Sequence, residues 1–121
     1  TDGPLTFGRS EVAYEDAFVW HEDGALQMIF NDMTGAFTGE DHAGAHAWSR
    51  DGVTWQLHAQ HKAYSRKILW ADGSSTTQGS FERPQLLLED GRPTHLFAAT
   101  GDGPGGFWRA SNTWNMVVPL A

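Results

Sequence analysis

The stretch Glu15-Asp16-Ala17-Phe18-Val19-Trp20-His21-Glu22-Asp23-Gly24-Ala25-Leu26-Gln27-Met28-Ile29-Phe30 aligns without gaps on Glu82-Arg83-Pro84-Gln85-Leu86-Leu87-Leu88-Glu89-Asp90-Gly91-Arg92-Pro93-Thr94-His95-Leu96-Phe97. Five positions are identical and several others stay apolar. Matching hairpins at a fixed offset are the signature of a repeat architecture. Each copy reads as a strand, an Asp-Gly turn and a second strand, because Asp and Gly tolerate the positive φ that tight hairpins require.

Outward from the first hairpin, His42-Ala43-Gly44-Ala45-His46-Ala47-Trp48 alternates at period two and reads as a third strand. A turn at Ser49-Arg50-Asp51-Gly52 leads into a fourth, Val53-Thr54-Trp55-Gln56-Leu57. In the second copy the outer strands fall to Phe107-Trp108-Arg109-Ala110 and Trp114-Asn115-Met116-Val117-Val118. Between the copies, Arg66–Trp70 and Thr76–Gln78 flank Ala71-Asp72-Gly73-Ser74-Ser75 like a further small hairpin. No stretch holds helical periodicity, so the fold class is all-β. The expectation is one propeller-type domain over 1–121, with four-stranded blade-like units at about 12–60 and 80–121 joined by 61–79. A single sandwich is the rival all-β reading, and the in-register repeat argues against it. Two blades leave apolar faces and edges uncovered. The chain is therefore expected to be a fragment of a larger ring or a homo-oligomer that completes one.

Composition agrees with a folded domain: 40% of the 121 residues are hydrophobic and 19% charged, with six Trp and seven Phe. A net charge of −7 with scattered basic residues argues against nucleic acid as a partner. No apolar run reaches the ~20 residues that cross a bilayer, so no membrane partner is expected. The start TDGPLTFGRS lacks the features of a signal peptide, and the compartment stays unassigned. With no Cys there is no disulfide framework, thiol nucleophile or thiolate metal site.

Several segments together resemble the C-terminal region of family-43-like glycoside hydrolases: Tyr14–Trp20, Gly39–Gly52, Phe81–Leu86 and Thr113–Leu120. The resemblance spans nearly the whole chain, and Ala17 departs from the Pro usual there while Pro84 keeps it. It implies the last two blades of a five-bladed propeller and a carbohydrate ligand, bound or hydrolysed. Ser49–Trp55 also resembles the Asp-box turn of sialidases, one residue shorter, which is a folding element. Family-43 enzymes use three carboxylates around the propeller axis. The resemblance puts Glu15, Asp16 and Glu82 at the repeat position from which such groups come, with Asp16 and Glu82 as catalytic candidates and Glu15 and Arg83 as substrate-binding ones.

Glycoside hydrolysis needs two carboxyl groups, about 5–5.5 Å apart for retention or about 6.5–9.5 Å for inversion. Carboxylates at a strand start can equally accept backbone N–H bonds. His42 and His46 are expected on one strand face with Gly44 and Trp48, where they line a polar cleft, bind a metal or simply pack; the His-x-x-x-His spacing is a weak metal signal on a strand, and no metal or cofactor is assigned. His95 is either a cleft or an interior residue, and Trp70, beside a polar turn, is the candidate sugar platform. Gly101-Asp102-Gly103-Pro104-Gly105-Gly106 lacks the Lys-Ser/Thr and helix of a phosphate loop and reads as a rim loop.

Overall fold

The computed structural model describes residues 14–120; residues 1–13, which include the expected start of the first unit, and residue 121 lie outside it. The chain is all-β. Strands β1 (Tyr14–Glu22), β2 (Ala25–Asp32), β3 (Ala43–Ser49) and β4 (Gln56–Tyr64) form an antiparallel sheet in that order. The hairpin β5 (Lys67–Leu69) and β6 (Ser75–Thr77) follows. A second sheet contains β7 (Ser80–Glu89), β8 (Arg92–Gly101) and β9 (Thr113–Pro119).

Both long hairpins turn at Asp-Gly with positive φ at both central residues, 55° and 77° at Asp23-Gly24 and 51° and 77° at Asp90-Gly91. That is the pattern of a type I′ turn, whose twist matches the strands it joins. Both first strands also carry a bulge at the same repeat position, with Asp16 at φ 58° and Arg83 at φ 54°. A bulge adds one residue to one strand and redirects the side chains around it.

Two expectations change. The second sheet has three strands, because 107–109 forms a 3-10 turn in which Ala110 N–H bonds Phe107 O, and the strand is left to Thr113–Pro119. In the first sheet the last strand begins at Gln56. Residues 51–54 are held instead in a turn where Asp51 Oδ1 accepts from Val53 N–H, Thr54 N–H and the Ser49 hydroxyl. Trp55 Nε1 donates to Gly52 O at 3.3 Å, and its ring is buried. The Asp-box-like segment is thus a staple that seats Trp55.

The ungapped alignment also gains an insertion. Tyr14 pairs with Asp32, but its equivalent Phe81 pairs with Thr100, one residue further along. The extra residue is Thr94, which has no Cα partner where β8 bulges opposite Leu87 and Leu88. This sets which faces meet. Phe18, Trp20 and Ile29 point at the second sheet, where Phe81, Leu86, Leu96 and Ala98 receive them in one core cluster. The structural equivalents of Phe18, Trp20 and Ile29 are Gln85, Leu87 and Phe97, which face away and are exposed. The two sheets therefore stack head to tail, one face of the first on the opposite face of the second. A second cluster, Met28, Phe30, Ala45, Ala47 and Trp55, covers the other face of the first sheet. Burying a side chain such as Phe81, 1% exposed, contributes about 1.5–3 kcal/mol.

Candidate functional site

Glu15 and Asp16 sit at the bulge of β1 and Glu82 at the bulge of β7, and the stacking of the sheets brings them together. Each offers a carboxylate oxygen, and the three oxygens lie within 4.8 Å of one another. Glu15 is exposed, Asp16 half-buried, and Glu82 only 6% exposed. One oxygen of Asp16, Oδ2, is buried without a hydrogen-bond partner among the described residues.

His42 reaches the same place by a different route. Asp32 Oδ2 accepts from Phe37 N–H, Thr38 N–H and the Thr38 hydroxyl, which folds the loop after β2 back on its origin. His42 ends that loop with φ 59° and presents Nδ1 3.0 Å from Glu82 Oε1, an ion pair whenever the imidazole is protonated. Burial raises the pKa of Glu82; His42 and Arg83 oppose it, Glu15 and Asp16 reinforce it, and the net direction is up. Three carboxylates this close do not all ionise readily, and the most buried one holds its proton longest.

Two further residues complete the surroundings. Asn31 stands opposite Glu15 in the β1–β2 register, is 0% exposed, and has no partner for either amide atom among the described residues. Tyr64 lays its ring over Gly44, where any Cβ would overlap it, and meets Phe81 edge-on at 5.3 Å. Its hydroxyl is buried without a partner among the described residues, and its pKa is raised, by burial first and then by the charges of Glu82 and Asp16, so it stays a donor. Sequence reasoning missed both: Asn31 lies outside the aligned repeat, and only the small Gly44 hinted that something must pack there.

The other expected site residues disperse. His42 and His46 do not share a strand face, because β3 starts at Ala43 and the left-handed backbone of His42 breaks the alternation. His46 lies between Trp20 and His58, with ring centroids at 5.8 and 4.5 Å, and its Nε2 is 2.9 Å from Gln27 Oε1. Its pKa is lowered to about 4 by burial and by His58. Arg83 is exposed, with its guanidinium over the Phe107 ring at 5.8 Å. Trp70 gives its indole N–H to Thr76 in its own hairpin at 2.8 Å. His95 pairs across β8 with Leu87 and Pro119, toward the turn end of the sheet, and contacts Thr94 Oγ1 at 3.0 Å.

Chemically, the cluster presents several carboxylate acceptors, a phenol donor, an amide with unused donor and acceptor capacity, and a carboxyl group inclined to hold a proton. The carboxylate spacing also suits a hard cation, but three side-chain oxygens fall short of the 6–8 that Ca²⁺ takes. Among the described residues no helix is long and apolar enough to cross a membrane. No family model, curated protein or solved structure matches the chain.

Proposed function

We propose that this chain is a carbohydrate-active β-propeller module, related to family-43 glycoside hydrolases, whose two sheets act as adjacent blades. The observation that carries the reading is the convergence of Glu15 and Asp16 from one repeat with Glu82 from the other. Sugar hydroxyls are good donors to paired carboxylates, and Asn31 and Tyr64 add groups that an alcohol can satisfy. Head-to-tail stacking of equivalent sheets is how blades succeed one another around a ring, which supports the propeller arrangement.

In this reading Glu82 is the proton-holding member, with Asp16 as the second carboxylate of the pair. Each contributes an oxygen to a cluster within 4.8 Å, so one bound sugar can reach both carboxyl groups. The test uses aryl xylosides and aryl arabinosides, with turnover followed by aglycone release and binding by ligand-observed NMR. Glu82→Gln keeps the hydrogen bonds and removes the proton, so turnover is expected to fall at least ~100-fold with binding retained. Absence of both binding and turnover in the unsubstituted protein would sink the proposal.

A second reading, a non-catalytic ring assembled from copies of the chain, rests on Leu87, Phe97 and Val117, exposed at 43%, 42% and 52%. The first two are the equivalents of Trp20 and Ile29, which the second sheet covers. Light scattering decides it: a mass at a multiple of the chain supports self-assembly, and a stable monomer excludes it.

A further inference from the structure

Away from the carboxylates, the interface between the sheets forms a cavity of about 320 Å³ that is open to solvent on one side. Trp20 from β1, His46 and His58 from β3 and β4, Tyr64, and Leu86 and Leu96 from the second sheet all line it. Apolar side chains supply most of this wall, with Gln60 and Lys62 among its polar liners. Trp20 is 7% exposed, and its Nε1–H, which can only donate, is buried with no partner among the described residues. Buried polar groups are normally satisfied, and those left open inside a cavity mark where a ligand or water bonds.

His46 adds an acceptor. Nε2 faces Gln27 Oε1 at 2.9 Å, and in the tautomer that donates there Nδ1 keeps a lone pair. Burial and His58 hold this ring neutral at ordinary pH, and His58 is stacked on it with an interplanar angle of 4°. The cavity thus offers an apolar body, one open donor and a neutral acceptor, with a volume at the lower end of the ~300–1,000 Å³ of small-molecule pockets.

We infer that this cavity binds a small neutral aromatic alcohol or phenol, its ring against Leu86 and Leu96 and its hydroxyl exchanging hydrogen bonds with Trp20 or His46. The mostly apolar wall favours such a ring over a sugar. A hydrocarbon leaves the Trp20 N–H unsatisfied. The inference is independent of the carboxylate cluster and stands whether or not glycosides bind there.

The probes are 4-methylphenol, toluene and xylose, each titrated into the full chain while the ¹H–¹⁵N resonance of the Trp20 indole is followed. 4-Methylphenol is expected to saturate and move that resonance, with toluene at least ~10-fold weaker, the loss of about one hydrogen bond to a buried donor. Trp20→Phe, with both titrations followed instead through the backbone amides of Leu86 and Leu96 in the cavity wall, is expected to erase the difference between the two probes. Leu96→Trp, which fills the space, is expected to abolish binding of both. Should Trp20→Phe fail to fold, the indole resonance of the unsubstituted protein still decides. No saturable shift with 4-methylphenol would overturn the inference by showing that the cavity holds water only. Equal affinity for toluene would overturn the assigned hydrogen bonds, and tighter binding of xylose the assigned class.

Discussion

The bulge of β1 carries Asp16 and the bulge of β7 carries Arg83, at nearly the same φ and the same distance from an Asp-Gly turn. The repeat has kept the backbone device and changed the charge mounted on it. In the first sheet the bulge adds a carboxylate to the cluster, whereas in the second it sends a guanidinium outward over Phe107. The residues opposite differ as well: Asn31 stands beyond Glu15, but Ala99 beyond Glu82. Turns and bulges are fixed by backbone sterics, which any sequence with the right φ tolerance satisfies. The chemistry is set by side chains that those sterics leave free.

The widest contrast is expected at equivalent faces. Ile29, 4% exposed, is covered by the second sheet, while its structural equivalent Phe97 is 42% exposed. Ile29→Asp places a charge in the core and is expected to cost about 4 kcal/mol or more in urea unfolding. Phe97→Asp is expected within about 1 kcal/mol of the unsubstituted protein, and equal losses at both would break the head-to-tail account. Next comes Gly44, whose counterpart in the second sheet is the exposed Asn115. A methyl at Gly44 overlaps the Tyr64 ring, so Gly44→Ala is expected to lose about 1–3 kcal/mol, against little change for Asn115→Ala.

A smaller effect of opposite sign belongs to the bulges. Arg83→Gly removes the strain of a left-handed non-glycine residue and is expected to raise stability by about 1 kcal/mol. A loss instead would mean that the Phe107 contact outweighs the backbone. The subtlest difference concerns two Asp-stapled turns. Asp102 accepts from Ser111 N–H and Asn112 N–H in the second sheet much as Asp51 does from Val53 and Thr54 in the first. Backbone hydrogen bonds hold Asp51 at about 2. Its folded value is depressed, so its contribution is present above the unfolded ~3.9 and is lost as pH falls through about 2. The stability gap between the unsubstituted protein and Asp51→Asn is therefore expected to shrink between about pH 4 and pH 2, read by fluorescence-detected unfolding.

Much of the framework was legible in the sequence because Asp-Gly turns and period-two alternation are local signals. The two long hairpins, the small hairpin after β4 and the all-β class all followed from such features. What failed was less local. Phe107-Trp108-Arg109 has strand-like residues, but the glycines before it, with Gly105 and Gly106 at positive φ, start a tight turn. Thr94 is invisible as an insertion in an ungapped alignment, since only the partner strand reveals the slip. Glu15, Asp16 and Glu82 were recognisable as candidates because the repeat and the family resemblance marked their positions. Asn31 and Tyr64 were not, because their relevance depends on how the first sheet meets the second.

The central claim is that the two repeats bring their carboxylates into one electrostatic unit in which Glu82 holds the proton. An NMR titration of the Glu82 side-chain carboxyl tests this most directly. Glu82 is expected to titrate above the ordinary carboxylate range, and to move down toward it when Glu15→Gln and Asp16→Asn remove the neighbouring charges. A Glu82 that titrates within the ordinary range, or that does not respond to those substitutions, would contradict it.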